Sequence, residues 1–267
     1  MLLPRLASAI VFLPLFVLLV AYGPRWLFVA FVLAVGLIAQ WELYRMLAQG
    51  GLATYPGPGL ALGGLVLLGF GVEWPWLLPL ALSLAVAGLL VLGLAEAGNP
   101  GPGWGGAAST LLGVLYVGWL LGHALWLRDL PGGIGLIFLL VWVTWSGETA
   151  AFFVGRVLGR RKLSPTLSPG KTVEGAVAQL LVSAVAAPAG ALWFAPALGP
   201  GHAAAVGAIL GVVGQVGDLT ESALKRTARA KDAGSLIPGH GGLLDRLDSL
   251  LFNVPALYYY AQFVVTG

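Results

Sequence analysis

Cysteine is missing altogether from these 267 residues, and charge is scarce: 9% of the chain is Asp, Glu, Lys or Arg, against 58% hydrophobic residues. The first absence excludes disulfide frameworks, thiol nucleophiles and cysteine-based zinc or iron–sulfur sites. The second excludes a soluble globular chain, in which roughly a quarter of residues are charged. At a mean hydropathy of +0.91 there is too little polar surface to cover a water-soluble body. A cytosolic enzyme, a secreted domain and a disordered tail are therefore ruled out, and an integral membrane protein remains. The 14 basic residues outnumber the 11 acidic ones, for a net charge of +3. In a polytopic chain that excess reads as a topology signal and not as a nucleic-acid signal, because lysines and arginines set orientation.

A hydrocarbon core of about 30 Å calls for about 20 apolar residues at helical rise. Runs of that kind, bounded by Gly, Pro or charge, fall at 6–22, 25–47, 59–72, 75–95, 107–127, 133–155, 173–195, 201–220 and 247–266. The expected fold class is all-α: a polytopic integral membrane protein of about nine transmembrane helices. The third run is short and glycine-rich (Gly57, Gly59, Gly63, Gly64, Gly69, Gly71), which suits a tilted, re-entrant or merged segment as well as a crossing. Residues 1–21 have the composition of a secretory signal, but the later spans favour an uncleaved first helix. No soluble domain and no internal repeat is visible.

Ten of the 14 basic residues lie in two stretches, Arg156, Arg160, Arg161, Lys162 and Lys171 in one, Lys225, Arg226, Arg229, Lys231 and Arg246 in the other. Two spans separate these stretches, so they share a membrane face, and their excess of Lys and Arg marks it as cytoplasmic. Counting outward places the N-terminus, with Arg5, in the cytoplasm and the C-terminus outside the cell (inner) membrane. Arg25 and the Arg128, Asp129 pair then fall outside.

Chemistry is distributed unevenly along the chain. The acids of residues 1–130, Glu42, Glu73, Glu96 and Asp129, stand singly, and this segment is expected to be scaffold. Glu42 precedes Arg45 by one helical turn, so an ion pair between them is the simple expectation. Trp41, Tyr44, Trp74, Trp76 and Trp104 read as interface anchors, and His123 and His202 as structural residues. Segment 131–267 is expected to carry a cytoplasm-facing site, because polar groups now appear within or beside spans, where a charge costs on the order of 3 kcal/mol. Glu148 is the first, sharing a helical face with Thr144 and Phe152; it suits either a helix-packing hydrogen bond or a site. A polar loop over 163–174 follows. Its Gly170-Lys171-Thr172 resembles the end of a P-loop, but Pro165 stands where the first glycine is required. A lysine with Ser168 and Thr172 at a helix N-terminus still makes a fair anion site.

The densest constellation begins at Asp218, from which Glu221, Ser222, Lys225 and Arg229 recur at intervals of three and four to form one polar stripe. Asp232, Asp245 and Asp248 follow among Lys231, His240, Gly241, Gly242 and Arg246. Carboxylates on two helix ends suit a hard cation bound through oxygen, magnesium being the obvious candidate. The glycines would let backbone N–H groups approach phosphates that the basic residues neutralise. A positive-inside anchor loop explains the arginines but not five interleaved acids.

The stretch resembles the phosphatidate cytidylyltransferases (CDP-diacylglycerol synthases), in the pattern Ser222-Ala-Leu-Lys225-Arg226, Lys231-Asp232-Ala-Gly234, and Ile237-Pro238-Gly-His240-Gly241-Gly242-Leu-Leu-Asp245-Arg246-Leu-Asp248. Gly155-Arg156, the run 168–175 and Tyr116-Val-Gly118 look like that family too, and Glu148-Thr-Ala-Ala-Phe152 stands where many relatives carry Asp-Thr-x-Ala-Tyr. The resemblance implies a membrane nucleotidyltransferase that joins CTP to phosphatidic acid, giving CDP-diacylglycerol and pyrophosphate. It also implies a homodimer among membrane lipids, and cations, Mg2+ with a second one nearby, held by Asp218 and Asp245. On that reading Asp248 supports the metal geometry, and Lys225, Arg226, Lys231 and Arg246 offset phosphate charge. Ser168, Lys171, Thr172, Ser222, Asp232, His240, Gly241 and Gly242 would contact substrate. His240 is read as a hydrogen-bond donor more than a base, since the phosphatidate oxygen is already anionic. Two rivals are a CTP-dependent transferase acting on another lipid phosphate and a polytopic organophosphate or ion transporter. Substituting Asp218 or Asp245 by Ala is expected to abolish CTP-dependent product formation while leaving the protein membrane-inserted; normal turnover in either variant, read by product chromatography, would sink the metal assignment.

Overall fold

The computed structural model describes the backbone of residues 3–98, 101–234 and 241–265, and their side chains apart from those of residues 3–11 and 265. Nine helices lie among the described residues. They are α1 (Leu3–Tyr22), α2 (Arg25–Gln49), α3 (Pro56–Gly71), α4 (Leu77–Ala95), α5 (Gly103–Asp129), α6 (Gly133–Val157), α7 (Val173–Phe194), α8 (Pro200–Thr227) and α9 (Leu244–Tyr260). A π turn over Val114–Trp119 interrupts α5, and a second over Ala261–Val265 extends α9. Each helix sits on one of the apolar runs, and six of them, α2 and α4–α8, are long and apolar enough to cross a membrane. α3, at 16 residues, and the described apolar part of α1, Phe12–Tyr22, are shorter. Leu90, Val91, Leu94, Leu181, Val185 and Leu192 are exposed and apolar, as lipid-facing positions must be.

Prolines and glycines punctuate the helices as their chemistry requires. Pro24 is extended before α2, Pro56 opens α3 at its first turn, where a missing N–H costs nothing, and Gly132 precedes α6 at φ +72°. The loop between α6 and α7 departs from the all-α expectation. It folds into a small antiparallel hairpin, β1 (Lys162–Ser164) on β2 (Ser168–Thr172), with Lys162 opposite Thr172.

The chain forms two compact units, residues 1–125 with 224–247, and residues 126–223 with 248–267. In the first, α2 is the central element, with Leu43, Tyr44, Met46 and Leu47 all at most 2% exposed. A buried polar chain ties it to α3 and α5. Gln40 Nε2 donates to the Tyr44 hydroxyl (2.7 Å) and to the Gly59 carbonyl (2.8 Å), and the Tyr44 hydroxyl donates to the Thr110 carbonyl (2.7 Å). With no water in the surroundings, polar groups satisfied in this way fix one helix arrangement among the many that apolar packing alone would allow.

The second unit packs α6, α7, α8 and part of α9 through small residues. A Cβ on Gly207 would meet the Ser183 carbonyl and lie 2.8 Å from Ala184 Cα, so α7 and α8 touch backbone to backbone. Towards α9, a Cβ on Gly217 would lie 2.6 Å from the Asp248 carbonyl oxygen. Close approach of this kind replaces the hydrophobic driving force that helices lack inside lipid. Asn253 of α9 is fully buried and donates from Nδ2 to Thr144 Oγ1 of α6 at 3.0 Å, which adds a directional tie. Replacing Gly207 by Leu should therefore cost about 1–3 kcal/mol of overpacking, lowering the thermal midpoint in detergent by several degrees. Leu at Gly88, which has open space around it, should leave the midpoint unchanged.

Candidate active site

In the second unit α8 and α9 bring three carboxylates together. Asp218 and Glu221 lie one turn apart on α8, Asp248 stands near the start of α9, and one oxygen from each lies within 4.8 Å of the others. Gly217 permits this, since any side chain there would push the Asp248 backbone away. Glu221 is fully buried, whereas Asp218 and Asp248 keep partial exposure. Glu148 of α6 lies within electrostatic range of Asp248. Three carboxylate oxygens converging at this spacing could hold a metal ion through oxygen ligands.

The hairpin delivers a lysine to this cluster. Lys171 Nζ lies 2.6 Å from Asp218 Oδ1, and both side chains are partly exposed. Its position is fixed from two directions. Thr172 is the N-cap of α7 and accepts the Gly175 N–H on Oγ1 at 3.1 Å, while the Glu174 carboxylate accepts the N–H groups of Arg160 (3.0 Å) and Arg161 (3.2 Å). These bonds close the loop on itself and leave the side chains of Arg156, Arg160, Arg161 and Lys162 exposed. Ser168 lies on β2 with partial exposure.

In the first unit the described residues 224–234 and 241–247 come together around Asp245. Lys225 Nζ donates to Asp245 Oδ1 at 2.8 Å, and Asp245 Oδ2 accepts the N–H groups of Ala233 (3.0 Å) and Gly242 (2.8 Å). Gly241 holds φ +81°, which favours glycine, and even a methyl group there would lie 2.9 Å from Asp245 Oδ2. One carboxylate thus gathers two loop segments and one cation. The side chains of Arg226, Lys231, Asp232 and Arg246 project from this turn and are exposed, forming a polar surface suited to a polyanion.

Of the residues expected from sequence, the structure joins Asp218 with Asp248 and with Lys171, and Asp245 with Lys225 and Gly242. Ser222 is buried on α8. His240 lies outside the described residues. Glu221 was visible as part of the polar stripe but its place among the carboxylates was not. Glu42 corrects the expectation more sharply. It does not pair with Arg45, which lies exposed with its guanidinium 5.3 Å from the Trp41 ring centre, whereas Glu42 is 1% exposed and accepts the Leu244 N–H on Oε2 at 2.8 Å.

Comparison with known proteins gives a consistent set of likenesses. The family model described as "Cytidylyltransferase family" matches residues 3–264. The chain is 36% identical over 265 residues to a phosphatidate cytidylyltransferase of Bacillus subtilis (strain 168), covering 94% of this chain and 93% of that protein. It is 38% identical over 208 residues to a phosphatidate cytidylyltransferase of Brucella suis biovar 1 (strain 1330), covering 70% and 72%. It is also 34% identical over 260 residues to the uncharacterized protein YnbB of Escherichia coli (strain K12), covering 92% and 82%.

Proposed function

We propose that this chain, which belongs to the cytidylyltransferase family, joins CTP to phosphatidic acid and releases pyrophosphate, forming CDP-diacylglycerol for phospholipid synthesis. The observation that carries this reading is the carboxylate trio of Asp218, Glu221 and Asp248 with the Lys171 ammonium against Asp218; in the other unit a basic, glycine-rich segment gathers on Asp245. A nucleoside triphosphate brings three or four negative charges. It needs cation ligands and positive side chains at once, and very little covalent chemistry from the protein.

In the reaction a phosphatidate oxygen attacks the α-phosphorus of CTP. A new P–O bond forms, the bond from the α-phosphorus to the α,β-bridging oxygen breaks, and pyrophosphate leaves with its electron pair. The attacking oxygen is anionic near neutral pH, so no strong base is required. Asp218 and Asp248 are the proposed metal ligands, with Glu221 as the third carboxylate. A divalent cation bound there, magnesium in this reading with a second cation beside it, supplies charge neutralisation at the phosphates. Lys171 pairs with Asp218 and, with Ser168 and Thr172, is proposed to contact phosphate. Asp245 accepts three donors in this structure. In place of the metal-ligand role expected from the sequence, its proposed role is to organise Lys225, Ala233 and Gly242, so that Arg226, Lys231 and Arg246 offset the charge of the leaving pyrophosphate and of the lipid headgroup. Ser222, Asp232, His240, Gly241 and Gly242 complete the proposed substrate contacts.

The basic residues of 156–171 and 225–246 support a site that faces the cytoplasm, with the N-terminus on that side and the C-terminus outside after nine crossings. The family resemblance supports a homodimer. The acids concentrate at helix ends instead of lining several spans at depth, which favours an enzyme over a transporter. Purified protein incubated with labelled CTP, Mg2+ and a panel of lipid phosphates tests the assignment. Product is expected with phosphatidate and not with a polyprenyl phosphate, and chelation of divalent cations should lower turnover by at least about 100-fold. Turnover of a different lipid phosphate alone would contradict the substrate, and flux of organophosphate without CTP would contradict the reaction.

A further inference from the structure

The N-terminal helices were expected to be scaffold, yet one acid from them is buried against the turn that carries Asp245. Glu42, two turns before the end of α2, is 1% exposed and sits beside Leu43 and Tyr44, which are also buried. Its Oε2 accepts the Leu244 N–H at 2.8 Å, and the Leu243 N–H bonds to the same carboxylate. These are the first free N–H groups of α9, where a carboxylate is favoured both by the unpaired donors and by the helix dipole. Two glycines close over the acid. A Cβ on Gly234 would run into Oε1, and a Cβ on Gly242 would lie 2.6 Å from Oε2 and 2.8 Å from the Gly234 nitrogen. Just past the end of α2, Gly50 takes part as well, since a Cβ on it would lie 2.5 Å from Ala228 Cα.

From these contacts we infer that Glu42 is a positioning residue for the phosphate-binding turn, holding it by its backbone. The turn is clasped by two carboxylates. Asp245 takes the N–H groups of Ala233 and Gly242 from one side, and Glu42 takes those of Leu243 and Leu244 from the other. Asp245 is engaged by Lys225 and two backbone donors, and Glu42 holds the turn through Oε2 while its Oε1 lies against Gly234. The exposed side chains of Arg226, Lys231 and Arg246 are therefore carried on a backbone fixed from two sides. A stretch with five basic residues and several glycines would otherwise sample many conformations, at about 1–2 kcal/mol per residue of ordering cost on binding nucleotide. The clasp meets that cost during folding. Glu42 touches no substrate in this account; it acts through the turn.

The inference rests on the cytidylyltransferase reading for its kinetic consequence but not for its structural one, and the experiment separates the two. The geometry requires an acceptor oxygen at the full reach of a glutamate side chain, so Glu42→Gln, which keeps reach and oxygen, should behave close to the native chain. Glu42→Asp keeps the charge but is one methylene short and should not. In the full-length protein in detergent, Glu42→Asp is expected to speed amide exchange in peptides covering 241–247 by about tenfold, the loss of one buried hydrogen bond. Peptides from α6 and α7 should stay unchanged. The same variant should raise KM for CTP or lower kcat/KM for CTP by on the order of 10–100-fold, with little change in KM for the lipid. Arg45→Ala, on the exposed side of α2, should match the native chain throughout. If Glu42→Asp exchanges and turns over like the native chain, or if Gln is the more damaging of the two, the clasp is wrong and Glu42 acts through its charge or only in the scaffold. If the native protein turns over no CTP, the reaction assignment falls while the exchange result still decides the clasp. A fall in thermal midpoint with native exchange at 241–247 would also overturn it.

Discussion

Taking a carboxylate out of water costs several kcal/mol unless donors or cations answer it, and the way each acid near the junctions of α8 and α9 is answered organises the molecule. Asp218 meets the ammonium of Lys171. Asp245 meets Lys225 and two backbone N–H groups. Glu42 meets the opening N–H groups of α9. The trio of Asp218, Glu221 and Asp248 brings three like charges within 4.8 Å, an arrangement that a divalent cation relieves more completely than one lysine can. In a chain with 11 acidic residues in 267, this concentration is the basis of the proposed cation site.

Packing and chemistry depend on the same small residues. Gly217 lets α8 approach the Asp248 backbone, and the same approach puts the Asp218 and Asp248 side chains beside each other. Gly242 lets the turn close on Glu42 while its N–H donates to Asp245. In lipid, helices associate through close contact and buried polar ties. The helix positions that bring backbones together are thus also the ones that set distances between charged groups. The two lysines have a common logic: each pairs with an acid, Lys171 with Asp218 and Lys225 with Asp245, and each is proposed to serve phosphate as well. That proposal accounts for their location at the root of a hairpin and at the end of α8, not on an open loop.

Much of this was legible in the residue string. Nine apolar runs predict nine helices because length and hydropathy are local quantities, and the polar stripe from Asp218 to Arg229 is a helical period that needs no tertiary information. The hairpin over 162–172 was not legible, since strands of three and five residues, Lys-Leu-Ser and Ser-Pro-Gly-Lys-Thr, are too short and too poor in apolar residues to show an alternation. Glu221 could have been placed with Asp218 from spacing alone, but its burial could not. Glu42 was beyond reach for a different reason: its partner Leu244 lies 202 residues away, and the ion pair with Arg45 was the simplest local alternative. Local spacing identifies which residues share a face, while the direction a buried acid turns is decided by distant backbone donors.

Magnesium binding by the carboxylate trio, measured without nucleotide or lipid, tests the central claim most directly. Thermal unfolding of the purified protein with and without millimolar Mg2+ should show a rise in midpoint for the native chain that is lost in both Asp218→Asn and Asp248→Asn. An equal rise in the native protein and in both variants would place the cation elsewhere and contradict the account.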